Sequence, residues 1–511
     1  MSGAPDKDTA AVPDAPGTAE IEAALLPTAA PGSVEAESAP RPRPHTSAGT
    51  SRENRAGRLL RTVWNRSYLV KWVPASIVIG AVAGLGSIAL YSLLELVTTG
   101  ALGHLAGYHP TSIAADGPLT AGSDIDRPWV VPLLVAGGAL ASALLIRWLA
   151  PEAGGHGTDA AIGALHHDPL GMRGRVTVVK MAASALTLGS GGSGGTEGPA
   201  AQISAAFGSV LSRLFRFNPA EAKIAVAAGL AAGVGAIFRA PFGGALLGVE
   251  MLYRRDMAAE MLVPSLIASV VAYVEFGAVH GYGAMFGDQS TDPIGLAQLP
   301  LFLLLGIIAG AVARCYCWAL HRTTAFFKRR RKMPSLLKPV IGGIAVGALG
   351  LALPDVLGTS YGLVQSGLNE QWVLGSSLWV LLLLPVAKIA GTSLTVGSGG
   401  SAGVFGPGIV VGAAVGMVFW RLADMAGIPL SGPVPFVIVG MAACLGSAIH
   451  APVALTVMVT ELAGTSDTLF PGMIAIAAAT LVMGSTTLYP SQPRDRADLS
   501  TGRPATTLAD S

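Results

Sequence analysis

The chain has 511 residues, of which 51% are hydrophobic and only 13% are charged, and its net charge is +2. Mean hydropathy is +0.57. A soluble protein carries about a quarter charged residues, so the composition excludes an ordinary soluble domain and indicates a membrane protein. The small net charge gives no reason to expect nucleic acid as a partner.

The polar ends of the chain are predicted to be disordered tails. Residues 1–60 are mostly small and polar and lack the order of a secretory signal, and residues 491–511 are similarly polar. Lysine and arginine cluster at 52–71 and at 328–332. Because cytoplasmic loops are enriched in these residues, we expect a multi-pass protein of the inner (plasma) membrane with both termini cytoplasmic.

Apolar segments follow one another through the rest of the chain. Five are long enough to cross a lipid bilayer, which takes about 20 residues, and they cover 72–96, 129–149, 261–278, 299–320 and 378–396. Others, which start at Pro199, Pro241, Pro407 and Pro452, are short and interrupted by glycine. Helices that end inside a membrane must be enclosed by protein or line a cavity, so the short segments indicate a transport pathway.

A glycine-rich loop occurs twice. LTLGSGGSGGTEGP at 186–199 recurs as LTVGSGGSAGVFGP at 394–407, with ten of fourteen positions identical at an offset of 208. Lys180 and Lys388 share that offset, and Glu250 and Glu461 recur at an offset of 211. The membrane region is therefore predicted to be two homologous halves, 66–280 and 298–490.

Repeated halves of this kind usually meet at a substrate site formed by interrupted helices. Glycine allows the backbone to approach an ion closely, and the proline in each loop starts a helix whose free N–H groups and dipole favour an anion. The two loops are therefore predicted to form an anion site together. Only the first carries an acid, Glu197.

The first loop also matches an enzyme motif. Gly191, Ser193 and Gly195 spell GxSxG, which would make an intramembrane serine hydrolase with Ser193 and a histidine such as His450 the alternative from another class. The repeat argues against it, because Ser401 has the same surroundings and a hydrolase needs one nucleophile. We therefore expect a protein that is not an enzyme.

Cysteine and histidine indicate no bound group. The three cysteines lie in apolar runs, so no disulfide framework is expected. The adjacent His166 and His167 lack nearby ligands. No metal and no cofactor are predicted.

These motifs resemble the CLC family of chloride channels and chloride/proton exchangers. GGTEGP at 194–199 looks like the family's GREGP element, GVFGP at 403–407 like GIFAP, PEAGGHGTDAAIGAL at 151–165 like PEAGGSGIPEIEGAL, and LYPSQ at 488–492 like its last helix. The resemblance implies an all-α integral membrane protein with two inverted-topology repeats of broken and tilted helices. It also implies a homodimer with one pore in each subunit.

The resemblance also implies roles for individual residues. Glu197 matches the gating glutamate, whose ionised carboxylate imitates an anion and whose protonated form vacates the site, so that protonation and anion occupancy are linked. A mere helix cap is the alternative for this acid. The implied anion-binding residues are His156, Gly195, Thr196, Gly198, Gly403, Val404, Phe405 and Tyr489.

Two departures from the family pattern bear on mechanism. His156 stands at the central serine, either as a neutral hydrogen-bonding group or as a switchable positive charge. Met251 stands where proton-coupled members often have their internal glutamate, beside the retained Glu250. This favours passive or weakly proton-coupled chloride conduction, with a tightly coupled chloride/proton antiporter as the alternative. Chloride is the expected ion, and other halides or nitrate are expected permeant relatives.

Overall fold

The computed structural model describes residues 66–291 and 294–500. These residues form eighteen α-helices, and the pairing of Gly195 with Gly403 is the single β-bridge among them. In the first half the helices are α1 (Arg66–Thr98), α2 (Val130–Leu149), α3 (Thr158–His167), α4 (Gly174–Gly189), α5 (Glu197–Leu214), α6 (Pro219–Ile237), α7 (Pro241–Glu250) and α8 (Leu262–His280). The others are α9 (Leu299–Arg329), α10 (Leu337–Ala352), α11 (Tyr361–Gly367), α12 (Glu370–Gly375), α13 (Leu378–Gly397), α14 (Phe405–Met425), α15 (Val434–Ala448), α16 (Pro452–Ala463), α17 (Leu469–Met483) and α18 (Arg496–Ser500).

Seven helices of the described residues are long and apolar enough to cross a membrane. They are Arg66–Ala106, Val130–Leu149, Pro219–Ile237, Ala259–His280, Leu296–Arg329, Leu378–Gly397 and Phe405–Met425. The five long segments expected from the sequence all fall within this set. The segment that begins near Pro407 was expected to be short, but α14 runs for 21 residues; its glycines pack closely against α15 instead of interrupting the helix.

The two halves contact each other through pairs of matching hydrogen bonds. Glu250, at the end of α7, accepts from the backbone N–H groups of Val453 (3.2 Å) and Ala454 (2.6 Å) in the first turn of α16. Glu461, near the end of α16, accepts from Phe242 (3.0 Å) and Gly243 (2.7 Å) in the first turn of α7. Each acid thus accepts hydrogen bonds from N–H groups that a helix start leaves free. The two sets of hydrogen bonds are related to each other as they would be by a two-fold axis between the halves.

The start of α1 and the end of α9 each lie near residues of the carboxyl-terminal segment, 489–496. The hydroxyl of Tyr68, in the first turn of α1, donates to the backbone carbonyl of Glu260. The carboxylate of Glu260 is paired with Arg496, in the segment that follows Tyr489. The ring of Tyr489 packs on His156, and His156 lies within electrostatic range of Lys328, near the end of α9. The start of α1 and the end of α9 therefore lie on one face, here called the Tyr489 face.

The expectation of a disordered tail from residue 491 is wrong for its first ten residues. Ser491 donates to Asp159 through its backbone N–H (2.7 Å) and its hydroxyl (2.9 Å). Gln492 is fully buried and donates to the carbonyls of Met251 (2.8 Å) and Ile449 (2.9 Å). Polar composition misled the prediction because these polar groups find partners inside the protein: Ser491 binds the Asp159 carboxylate, and Gln492 binds buried backbone carbonyls at helix ends. Residues 1–60, the other predicted tail, lie outside the described residues, as do residues 501–511.

Candidate anion site

The two glycine loops pair directly with each other. The backbone N–H of Gly195 donates to the Gly403 carbonyl (2.9 Å), and that of Gly403 donates to the Gly195 carbonyl (2.7 Å). Glycine is required for this approach, because a Cβ at Gly198 would lie 2.1 Å from the His156 carbonyl and 2.7 Å from the Cα of Gly403. The pairing brings the first turns of α5 and α14 together, as the repeat predicted.

Glu197 reaches from the first half to the second. It is the first residue of α5, and only 1% of it is exposed. Its Oε2 accepts the backbone N–H of Gly406 (3.1 Å), in the first turn of α14, and its Oε1 accepts from the hydroxyls of Thr196 (3.1 Å) and Tyr361. The carboxylate therefore lies at the amino-terminal end of the opposite helix, where the dipole favours negative charge.

The backbone of Val404 and Phe405 lies beside this carboxylate. Their N–H groups have no hydrogen-bond acceptor among the described residues, since α14 begins at Phe405. The Val404 carbonyl accepts from Tyr316 (2.8 Å), and the ring of Phe405 packs on Phe238 at 5.3 Å. Both residues are buried. The loop is thus held rigidly while its donors stay free, which is the arrangement that an anion needs.

His156 and Tyr489 form the other end of the site. Their ring centroids are 5.7 Å apart, and Tyr489 is fully buried. Neither His156 Nδ1 nor the Tyr489 hydroxyl has a hydrogen-bond partner among the residues that the structure describes, although Thr158 lies close to that hydroxyl. The His156 loop is held by Lys180, whose Nζ donates to Gly155 (2.6 Å). A buried tyrosine and a half-buried histidine therefore lie together, each with a buried polar atom that is free to make a hydrogen bond.

The acid and the methionine at the end of α7 have different surroundings. Both carboxylate oxygens of Glu250 accept backbone N–H groups of α16, so this acid has a structural partner. The side chain of Met251 is fully buried, and the backbone carbonyl of that residue accepts from Gln492. A thioether carries no proton that it could transfer at neutral pH.

The structure gives Ser193 and His450 separate partners. Ser193 Oγ lies 3.4 Å from Thr392 Oγ1 and is fully buried, and His450 Nε2 pairs with the Thr486 carbonyl at 2.9 Å. No Ser193–His450 hydrogen bond occurs in the described part of the chain. Among the described residues, no cluster of three or more His, Cys, Asp or Glu side chains could hold a metal ion.

Sequence reasoning missed Tyr361 as a site residue. It begins α11, and its hydroxyl contacts Glu197 across 164 positions of the chain. The preceding loop mirrors the His156 loop, because Lys388 Nζ donates to Gly358 (3.0 Å) as Lys180 does to Gly155. The matched lysines were a usable signal, since a cation inside a membrane segment usually marks function.

A cavity of about 530 Å³ is lined by the last turns of α1, from Tyr91 to Thr98. Because α1 begins on the Tyr489 face, the cavity lies on the other side of the protein, here called the cavity face. Thr196 and Tyr361, which both donate to Glu197, belong to its lining. Charged side chains also line it, namely Glu95, Asp116 and Asp355. The cavity gives solvent a route to the two hydroxyls that hold the carboxylate.

Comparison with known proteins identifies the family. The family model described as voltage gated chloride channel matches residues 137–484, more than half of the chain. The chain belongs to the CLC family. A ClcB-like relative from Ralstonia nicotianae is 32% identical over 360 residues, which cover 68% of this chain and 81% of the relative.

Other CLC proteins agree with the assignment. The H⁺/Cl⁻ exchange transporter ClcA of Citrobacter koseri is 31% identical over 366 residues, which cover 69% of this chain and 75% of the relative. The crystal structure of a slow cyanobacterial Cl⁻/H⁺ antiporter superimposes with a TM-score of 0.68 at 23% identity, covering 82% of this chain and 96% of that one. The expected all-α CLC fold with inverted repeats is thereby confirmed.

Proposed function

We propose that this CLC protein transports chloride across the membrane and that Glu197 is its gate. The observation that supports this most directly is the Glu197 carboxylate at the first turn of α14, where it accepts from Gly406, Thr196 and Tyr361. A carboxylate there takes the place that the helix dipole offers to an anion. Protonation removes its charge, so it leaves and chloride enters.

The proposed path for chloride runs from the cavity face to the Tyr489 face. Chloride binds the free N–H groups of Val404 and Phe405, with the backbone of Gly195, Thr196, Gly198 and Gly403 around it. It then meets His156 and Tyr489, whose unpartnered polar atoms serve as donors. Other halides and nitrate are expected to follow the same path, because backbone donors recognise charge and size rather than one element.

Sidedness follows from the basic residues. Several cations lie on the Tyr489 face, namely Lys71, Arg254, Arg255, Lys328 and Arg496. Cytoplasmic faces are enriched in Lys and Arg. We therefore propose that the Tyr489 face and both termini are cytoplasmic, that the cavity opens outward, and that the protein lies in the plasma membrane as a homodimer.

Passive or weakly proton-coupled conduction is the form of transport that we favour. Met251 offers no proton acceptor, and Glu250 is engaged by the N–H groups of Val453 and Ala454. A tightly coupled antiporter is the second candidate, because a ClcA exchanger is among the relatives. In that case a route from Glu197 to the cytoplasm would run without Glu250.

Reconstitution of the full chain in liposomes tests the proposal. With a chloride gradient imposed, the wild type should release chloride at a rate that rises as outer pH falls, and Glu197→Gln should release it at a rate independent of outer pH. Protons should not be driven uphill. Uphill proton movement that Glu197→Gln abolishes would reject the conduction form in favour of the antiporter, and a Glu197→Gln variant with the wild-type pH response would reject the gate.

A further inference from the structure

Tyr361 is held so that its hydroxyl reaches the gate. The side chain is buried, and its ring packs in edge geometry against Phe238 at 6.3 Å and Phe286 at 6.5 Å. The hydroxyl meets Glu197 Oε1. A Cβ on Gly406 would lie 2.2 Å from the Tyr361 hydroxyl and 2.8 Å from Glu197 Oε2, so the tyrosine, the acid and the helix start are in close contact.

The loop before Tyr361 fixes its backbone. Gly358 has φ 63° and Ser360 has φ 65°; the second value is strained for a residue with a side chain. Lys388 stabilises this conformation, because its Nζ donates to the Gly358 carbonyl (3.0 Å) and to the Ser360 hydroxyl (2.7 Å). The position of the tyrosine therefore does not depend on Glu197 and persists when the carboxyl group moves away.

We propose that Tyr361 is a positioning residue whose hydroxyl is shared between the gate and the incoming anion. This inference rests on the proposed function and adds a partner to its gate. A phenol has one O–H and can donate to one strong acceptor at a time. With the gate closed the acceptor is Glu197; when chloride arrives through the cavity that Tyr361 lines, the hydroxyl turns to the anion and the carboxylate loses one of its donors.

The consequence is a link between outer chloride and gate opening. The ionised carboxylate is stabilised by every donor that points at it, so removing one favours the protonated form and moves the pH midpoint of opening upward. Chloride that accepts the hydrogen bond of the Tyr361 hydroxyl has the same effect, because the carboxylate then loses that donor. The pH midpoint of opening should therefore be higher at high outer chloride than at low outer chloride. This difference should be smaller in a protein that lacks the Tyr361 hydroxyl.

Other charged and titratable groups face the same region and remain in place in a Tyr361 variant. They are Lys388 on α13, Tyr316 on α9, Tyr489, and, around the cavity, Tyr91, Glu95, Tyr108, Asp116, His280 and Asp355. Arg239 is paired with Asp116. Because these groups are common to the wild type and the variant, a difference between the two reports on the hydroxyl alone.

Tyr361→Phe in the full-length protein tests the inference, because phenylalanine keeps the ring between Phe238 and Phe286. Chloride release from liposomes is measured over a series of outer pH values at low and high outer chloride. We expect the outer pH at half-maximal chloride release to rise by about one unit, which corresponds to the free energy of one hydrogen bond to a charged group. We also expect this midpoint to depend less on outer chloride than it does in the wild type. Tyr108→Phe, which removes a hydroxyl from the same cavity without touching Glu197, should keep the wild-type midpoint.

The outcomes separate this inference from the proposed function. If the wild type moves no chloride, the transport proposal itself is wrong. If the wild type is active but Tyr361→Phe has the wild-type midpoint and chloride dependence, or loses flux equally at all pH values, the shared hydroxyl is rejected. Fluorinated tyrosine at position 361, which keeps the fold and donates more strongly, should move the midpoint downward, and a midpoint that stays fixed there also rejects it.

Discussion

Replacing Gly406 by alanine would place a methyl group beside the carboxylate of the proposed gate, Glu197. The new Cβ would lie 2.2 Å from the Tyr361 hydroxyl and 2.8 Å and 3.1 Å from the two carboxylate oxygens of Glu197. Real Cβ contacts are not this short, so the Tyr361 hydroxyl and the Glu197 side chain must both shift. The side chain must leave its position and give up the Gly406 N–H and the Tyr361 hydroxyl as donors.

The size of the effect follows from those two hydrogen bonds. A hydrogen bond to a charged group contributes about 1.5–3 kcal/mol, and about 1.4 kcal/mol corresponds to a tenfold change in an equilibrium constant. Losing even one of the two should shift the closed-to-open ratio at least about tenfold. Because it is the ionised, closed form that loses its donors, the midpoint for opening moves to higher pH, and chloride flux at neutral pH increases.

Chloride release from liposomes across a range of outer pH checks this prediction. Gly408→Ala is the matched control, because it lies in the same helix and its Cβ would meet only the flexible tip of Leu445 at 2.8 Å. Gly406→Ala combined with Glu197→Ala should behave as Glu197→Ala alone. The reasoning is refuted if Gly406→Ala keeps the wild-type flux at neutral pH, or if its effect persists without the carboxylate.

Three further predictions concern the supports of the site. Glu250→Gln and Glu461→Gln should each lower the free energy of unfolding by about 1–3 kcal/mol, as measured by thermal unfolding in detergent. The two variants should have the same proton transport. If Glu250→Gln changed proton transport and Glu461→Gln did not, a purely structural role for Glu250 would be contradicted. Lys388→Met should raise the outer pH at the midpoint of opening, as Tyr361→Phe does, because it frees the loop that holds Tyr361. Lys180→Met should leave this midpoint unchanged. Equal shifts in the two lysine variants would contradict the role given to Lys388. In calorimetric titration, His156→Ser should keep the chloride affinity of the wild type within a few-fold. His156→Ala should weaken it by about tenfold, because it loses one hydrogen bond of about 1.5 kcal/mol. If both variants bound chloride as the wild type does, His156 would not lie on the proposed path.

The parts of the site that follow from local pattern were predictable. Glycine and proline in the two loops indicated where helices start and where backbones approach, and the structure pairs Gly195 with Gly403 accordingly. The fold also followed, because the repeat and the long apolar segments are properties of the sequence alone. The role of each residue in binding remains a prediction that flux measurements must test.

The parts that depend on distant contacts could not be predicted. Tyr361 contacts Glu197 although no pattern in its own segment points to an acid. The residues after Tyr489 looked like a polar tail, yet Gln492 is buried because carbonyls of Met251 and Ile449 happen to lie within its reach. Hydrogen bonds of this kind are determined by the packing of the halves, which spacing along the chain does not reveal.

The exchange of carboxylates between Glu250 and Glu461 has a consequence for how the protein is made. Released alone, the first half would bury an acid without donors and leave the first turn of α7 without an acceptor, so it cannot complete its fold before the second half is synthesised. Two copies of one ancestral half would satisfy both needs with a single residue each. The contact between the two halves of the present chain therefore has the geometry that a symmetric dimer of one such half would have, here enclosed within one polypeptide.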